Sequence, residues 1–169
     1  MHHLLRLTRL ILAIVFAGGV LISDSAEARS IVKFNGFSAG TIVIKTSQRR
    51  LYYVLGDGKA IVYPVGVGKA GKRWTGTSII TSMRIKPAWA PPPEIRGKRP
   101  YYVIPGGSPR NPMGAAALSL GSGEYAIHGT NNPGSIGGFV SFGCIRMHNR
   151  DVLDLYDRVG FGTTVVVLR

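Results

Sequence analysis

Short β-branched segments separated by glycine and proline turns occupy most of the chain, and they restrict its fold to β-sheet architectures. In "RLYYVLGDGKAIVYPV", Asp57 and Gly58 lie between two apolar arms, residues 51–55 and 60–65. That pattern predicts a β-hairpin closed by a tight type I′ turn. Similar composition predicts further strands at residues 40–46, 99–107, 115–121, 124–130 and 163–169.

One segment has helical periodicity instead. In "NRDVLDLYDRVG", residues 149–160, apolar side chains recur every three or four positions, with Asn149 placed to cap the start and Gly160 to end it. By contrast, the loop "WAPPPEIRGKRP", residues 89–100, contains three consecutive prolines, which we expect to exclude a helix or a central strand. The chain is therefore expected to form a single mainly β domain, a sandwich or barrel-like structure with one short helix.

The N-terminal residues have the composition of a secretory signal peptide. Two arginines precede an apolar run at residues 10–22, and an Ala-Glu-Ala cleavage pattern follows at residues 26–28. The run is shorter than the roughly 20 residues of a membrane-spanning helix, although failed cleavage would leave a tethered form. We expect a signal peptide at residues 1–28, a lead-in at 29–39 and one domain at 40–169.

The chain is strongly basic, with a formal net charge of +13. The predicted signal peptide carries as many acidic residues as arginines, so its removal leaves this charge unchanged. An exported protein with such a charge is expected to meet a polyanion, such as the bacterial cell wall, anionic lipid head groups or extracellular nucleic acid. Because the basic residues are scattered and no nucleic-acid-binding motif accompanies them, we predict no nucleic-acid partner, and contact with a membrane only during export.

Cys144 is the single cysteine of the chain, so it cannot form an internal disulfide. A reactive thiol needs a histidine within hydrogen-bonding distance, and His128 ends a predicted strand upstream of it. A glycine-rich turn between the two residues would allow the chain to return beside the ring. The amides of Gly143 and Cys144 would then donate to a developing oxyanion, and Arg146 would hold a carboxylate.

Two other interpretations of these residues stay open on spacing alone. The first is a buried, inert cysteine beside a histidine whose hydrogen bonds are satisfied. The second is a zinc site built from Cys144, His128, His148 and Asp151, although the chain lacks the partner cysteines of common zinc motifs.

The segment "IHGTNNPGSIGGFVSFGCIRMHNRDVLDLY", residues 127–156, resembles the signature of the L,D-transpeptidases, the YkuD-type family of cell-wall enzymes. That signature is His-Gly-Thr followed, after a short loop, by Ser-x-Gly-Cys-Ile-Arg-Met and often Asn. The similarity extends over residues 40–168 and includes the Trp-x-Pro-Pro-Pro-Glu loop. One position departs from the pattern, since Phe142 stands where many members have histidine.

The resemblance implies a role for each matching residue, with the one predicted helix following the catalytic motif. Cys144 would be the nucleophile, His128 the base that takes its proton, and Gly129 the residue whose carbonyl orients the ring. The remaining fixed positions of the motif, which would shape the substrate-binding site, are Ser141, Gly143 and Arg146.

The resemblance also implies the reaction. Cys144 would attack the L-centre carbonyl of a peptidoglycan tetrapeptide stem and release D-alanine. The acyl group would pass to an amine, giving a 3–3 cross-link or attaching an outer-membrane lipoprotein, and carbapenems would acylate the same cysteine. No metal or nucleotide cofactor is implied, and we expect a monomer in the periplasm or cell wall. The alternatives are an L,D-carboxypeptidase that uses water as acceptor, and a non-catalytic wall-binding domain.

Overall fold

The computed structural model describes residues 30–121 and 123–169. The predicted signal peptide, residues 1–28, lies outside the described residues. Within the described ranges, no helix has the length and apolar character needed to cross a membrane.

The described residues form eleven strands and two α-helices. The strands are β1 Ser30–Lys33, β2 Ile42–Lys45, β3 Arg50–Gly56, β4 Lys59–Pro64, β5 Val67–Gly68, β6 Gly76–Ile85, β7 Ala116–Leu120, β8 Tyr125–His128, β9 Phe139–Ser141, β10 Ile145–Arg146 and β11 Thr164–Leu168. The helices are α1 Pro93–Arg96 and α2 Asn149–Tyr156, and a 3₁₀ turn spans Pro133–Ser135.

Nine of these strands form one sheet, in the order β1-β4-β3-β2-β11-β6-β7-β8-β10. Strand β6 joins its two halves, because it pairs with β11 up to Ile79 and with β7 from Ile80 onward. A register shift between Ile80 and Ser82 marks the change of partner, as expected where a strand bends between two layers. The other two strands, β5 and β9, pair in parallel with each other.

The larger of two buried apolar clusters in the described residues fills the space that the bent sheet encloses. It combines Ile44 and Tyr63 from the first half of the sheet with Leu118 and Ile127 from the second, all fully buried. Helix α2 closes this core by adding Leu155 and its apolar neighbours. The mainly β, sandwich-like single domain predicted from the sequence is therefore confirmed.

The predicted hairpin is also confirmed. Strands β3 and β4 pair antiparallel, and the backbone φ angles of Asp57 and Gly58 are 49° and 67°. Positive φ at both central residues is the requirement of a type I′ turn, which explains the Asp-Gly pair.

Two predictions for the segment between β6 and β7 are wrong. Residues 99–107 form no strand, and a single bridge joins Trp89 to Ile104. The buried side chain of Asn111 donates to the carbonyls of Ile104 and Pro105, so a side chain satisfies groups that a neighbouring strand would otherwise use. The proline run begins the one-turn helix α1, because Pro93 occupies its first turn, where a missing N–H has no cost.

Candidate active site

The histidine predicted to react ends strand β8, and the predicted cysteine immediately precedes the adjacent strand β10. These strands pair in parallel, with Ile145 opposite Ile127 and Arg146 opposite His128. Both isoleucines are buried in the core. Because side chains alternate along a strand, His128 and Arg146 point to the other face of the sheet.

Cys144 immediately precedes β10 and continues the same alternation. Its thiol contacts the backbone of Ala126, which lies two residues before His128 on the neighbouring strand. The thiol and the imidazole therefore share one face of the sheet, where the Arg146 guanidinium acts on both of them. Cys144 as a whole residue is half-buried.

The imidazole of His128 is only 4% exposed and is held by backbone carbonyls. Nδ1 lies 2.6 Å from the carbonyl oxygen of Gly129. Since a carbonyl only accepts hydrogen bonds, Nδ1 carries the proton and Nε2 keeps the lone pair of a base. The carbonyl of Pro112 also contacts the ring.

Burial keeps the thiol and the imidazole neutral at rest. The pKa of His128 is lowered to about 4, mainly by desolvation and also by the Arg146 charge, against the two carbonyls that raise it. Desolvation also raises the pKa of the Cys144 thiol, although the Ala126 backbone and Arg146 oppose this shift. The pair is thus suited to transfer a proton as the sulfur attacks, and it does not rest as a thiolate–imidazolium ion pair.

Ser141 shapes the loop that carries the thiol. Its hydroxyl donates to the Cys144 carbonyl at 2.6 Å and accepts from the Gly143 amide at 3.1 Å. The Gly143 amide, predicted as an oxyanion donor, donates to this hydroxyl in the structure. On this loop, the Cys144 amide is the remaining donor of the predicted pair.

Gly143 has a packing role that the sequence did not reveal. Its φ is +128°, and a Cβ there would lie 2.2 Å from Cε1 of Tyr125. The Tyr125 ring stacks on Trp74, and the Trp74 indole N–H donates to the Gly143 carbonyl at 3.0 Å. Two aromatic rings thus fix the turn before Cys144, and only glycine fits there.

Asn149 positions the Gly129 carbonyl, which orients His128. The sequence pattern indicated only a helix cap at Asn149 and did not indicate this role. The residue preceding α2 is His148, and Asn149 is the first helical residue. The Asn149 side chain accepts from the amides of Ala115 and Thr130 and donates to the Thr130 carbonyl, each at 3.0 Å. The sequence feature that could have indicated this role is the presence of an asparagine shortly after the cysteine motif.

Asn111 holds the second carbonyl that contacts the ring. It is 1% exposed, donates to the Pro87 carbonyl at 2.8 Å and accepts from the Met113 amide at 2.9 Å. These bonds fix the turn that presents Pro112 to His128. The sequence offered no signal for this role, because the partners are backbone groups distant along the chain.

Arg146 is available to a ligand. The ion pair that it would make with Asp151 or Asp154 is absent from the described residues, where Asp154 pairs with Arg158 and Asp151 lies near Arg150. The Arg146 charge therefore faces the thiol and the imidazole.

The surface beside Cys144 is both aromatic and cationic. Phe142 is 37% exposed, and the Lys69 ammonium lies 3.8 Å from its ring centroid. Phe139 is 41% exposed, with the guanidinium groups of Arg49 and Arg73 at 5.0 and 5.2 Å from its centroid. This surface suits a polyanionic partner.

Across residues 30–121 and 123–169, no three histidine, cysteine, aspartate or glutamate side chains are grouped as metal ligands. The four residues considered for a zinc site are thus not assembled into one.

The fold and the site define a class of β-sheet domain in which a cysteine and a neutral histidine share one face and a backbone carbonyl orients the ring. The family model described as the L,D-transpeptidase catalytic domain, YkuD, matches residues 39–167. The Escherichia coli K12 protein named "Probable L,D-transpeptidase ErfK/SrfK" is 39% identical over 137 residues, 75% of this chain and 43% of that protein. The chain belongs to the L,D-transpeptidase (YkuD) family, and it spans less than half the length of this relative.

Solved structures agree in fold. An L,D-transpeptidase from Mycobacterium smegmatis has a TM-score of 0.61 at 18% identity, over 76% of this chain and 58% of that one. L,D-transpeptidase 3 from Mycobacterium tuberculosis, in complex with a faropenem-derived adduct, has a TM-score of 0.59 at 18% identity, over 76% and 60% of the two chains.

Gly129→Ala tests the packing of the loop that supplies the orienting carbonyl. The new Cβ would lie 2.2 Å from Asn149 Oδ1 and 2.8 Å from the Ala115 amide nitrogen, so we expect a loss of about 2 kcal/mol in the free energy of unfolding. Gly160→Ala is the matched control, because its Cβ would meet nothing within 4 Å. Urea unfolding of both variants checks this, and equal losses would contradict it.

The lowered pKa of His128 predicts a pH-dependent stability. Between its ordinary pKa of about 6.5 and the folded value of about 4, the unfolded chain binds the additional proton. This contribution to stability is fully present above pH 6.5, and roughly 3 kcal/mol is lost as the pH falls to 4. Urea unfolding from pH 7.5 to 4 should show this loss in the wild type but not in His128→Gln, with His148→Gln as the control for removing a histidine. Parallel profiles for wild type and His128→Gln would contradict the prediction.

Proposed function

We propose that this domain is a peptidoglycan L,D-transpeptidase with Cys144 as nucleophile, His128 as base and Gly129 as the orienting residue. The observation that carries the proposal is the shared face of β8 and β10, where thiol, imidazole and guanidinium meet beside a carbonyl that fixes the imidazole tautomer. A base with its lone pair on Nε2 is what a neutral thiol requires before it can attack.

In the acylation step, Nε2 accepts the thiol proton as the sulfur attacks the L-centre carbonyl of a tetrapeptide stem. The Cys144 amide and the Arg146 charge stabilise the oxyanion. The imidazolium then returns the proton to the amine of the leaving D-alanine, the C–N bond breaks and a thioester remains. Ser141 and Gly143 hold the loop in place during this step.

In the transfer step, an amine of a second stem or of an outer-membrane lipoprotein attacks the thioester and gives its proton to Nε2. The C–S bond breaks, and the sulfur recovers the proton from the imidazolium. A thioester retains the free energy of the cleaved amide, so the reaction needs neither ATP nor a metal. Water in place of the amine would give the L,D-carboxypeptidase reaction.

The position of Cys144 on the same face as His128, with the Arg146 charge acting on both, favours an enzyme over a wall-binding domain with an inert thiol. The cations around Phe139 and Phe142 support the cell wall as the environment, since Phe142 lies two residues before the nucleophile. We expect the protein to act as a monomer on stem peptides.

The acylation and transfer steps are tested with purified tetrapeptide stems and mass spectrometry. The wild type should release D-alanine and form a cross-linked product, Cys144→Ala should do neither, and His128→Gln should acylate about 10²- to 10⁴-fold more slowly. Faropenem, which forms an adduct in the M. tuberculosis structure, serves as a second probe and should add its mass to the wild type but not to Cys144→Ala. Binding of stems without D-alanine release would favour the wall-binding alternative, and release without cross-linking would favour the carboxypeptidase.

We further propose that residues 1–28 are a signal peptide, that a lead-in at 29–39 precedes the catalytic domain at 40–169, and that the protein acts in the periplasm or cell wall. The signal-like composition and the high positive charge support export. Intact mass of the protein recovered from the periplasm should correspond to a chain that begins at Arg29. An uncleaved mass would indicate a tethered form.

A further inference from the structure

The face of the sheet that carries the reacting groups continues beyond them onto β7 and β6. Ala117 lies opposite His128, and Arg84 lies opposite Ala117. Arg146 completes this row on the other side of His128. Paired residues of neighbouring strands share a face, so Arg84 points to the same side of the sheet as the imidazole.

A second row runs beside the first and leads away from the thiol. Ser119 lies opposite Ala126, whose backbone contacts the Cys144 thiol, and Ser82 lies opposite Ser119. The three side chains after Cys144 are therefore small. Ala126 is buried at 7% exposed, whereas Ser119 and Ser82 are partly exposed, so the open part of this row lies on β7 and β6.

A cavity of about 350 Å³ lies over this part of the face. It is lined from both rows and from the flanking segments by Thr81, Ser82, Arg84, Met113, Ala117 and Ser119. Since Ala117 and Ser119 are the register partners of His128 and Ala126, the cavity adjoins the reacting groups.

Arg84 supplies the charge of this cavity. Its side chain is exposed, and within the described part of the chain no ion pair or side-chain hydrogen bond engages its guanidinium. A planar guanidinium in a groove is suited to bind a carboxylate through two parallel hydrogen bonds.

The spacing indicates how far this carboxylate lies from the reacting carbonyl. Arg84 and Cys144 are three strand spacings apart and offset by two residues along the strands, roughly 16 Å in all. Two residues of an extended peptide span about 7 Å, and the long arginine side chain can reach across the remaining distance. The matching group is a carboxylate about two residues before the scissile bond.

We propose that Arg84 is a specificity-determining residue that binds a carboxylate of the acyl-donor peptide in this cavity. The proposal rests on the proposed transpeptidase function, since it names the subsite of that function's donor. The peptide bound by Arg84 is assigned as the acyl donor, and not as the acceptor, because the donor peptide must extend from the carbonyl that Cys144 attacks. The acceptor needs to present only an amine to the thioester.

The test uses two tetrapeptide donors that differ only in a free or an amidated carboxyl group on the second residue. Arg84→Gln should raise the KM for the free-carboxylate donor about tenfold, leave kcat within about twofold, and leave the KM for the amidated donor within about twofold. Arg169→Gln is the matched control, because it removes the same charge from an exposed residue at the end of β11. Equal effects on both donors, or an effect only when the acceptor is varied at saturating donor, would overturn the assignment.

A binding measurement separates this proposal from the proposed function. Both donors are titrated calorimetrically into Cys144→Ala and into Cys144→Ala/Arg84→Gln, so that no turnover is required. A preference of about tenfold for the free carboxylate that disappears with Arg84→Gln supports the subsite, even if the wild type releases no D-alanine. The absence of any such preference in Cys144→Ala contradicts it.

Discussion

In the proposed mechanism, the chemistry of this domain depends on the hydrogen bond from Nδ1–H of His128 to the Gly129 carbonyl. At 2.6 Å it fixes which ring nitrogen carries the proton, with a backbone group in the place where other nucleophilic sites use a carboxylate. The carbonyl is itself fixed, because Asn149 bonds the next residue, Thr130, at both its amide and its carbonyl. Asn149 opens helix α2, and α2 packs on the core of the domain. The helix that closes the core thus also sets the orientation of the base.

Burial of the pair determines how the reaction begins. A deeply buried imidazole with a pKa of about 4 does not hold a proton at neutral pH, and a desolvated thiol does not release one easily. The same burial makes a developing oxyanion respond strongly to the few charges nearby, of which Arg146 contacts both groups electrostatically. The cations around Phe139 and Phe142 come from other segments of the chain and stack on rings at the surface beside this centre.

Local patterns predicted much of the fold, while long-range backbone contacts escaped prediction. The β3–β4 hairpin followed from Asp57-Gly58, and most strands followed from their β-branched composition. Residues 99–107 have a similar composition but no strand partner, because the Asn111 side chain takes their carbonyls. In the site, motif spacing identified Cys144 and His128 as candidates. It assigned the Gly143 amide to an oxyanion without the knowledge that Ser141 occupies it. The roles of Asn111 and Trp74 depend on contacts with distant backbone, which no local pattern encodes.

The tautomer and charge of His128 are the most direct test of this account. In ¹⁵N NMR spectra of the mature domain with labelled histidine, His128 should give one protonated nitrogen, Nδ1, and one unprotonated nitrogen, Nε2, at pH 7. This pattern should persist to about pH 5, well below the ordinary pKa of histidine. A proton on Nε2, or an imidazolium at pH 7, would contradict the account, because neither form could accept the proton of the Cys144 thiol.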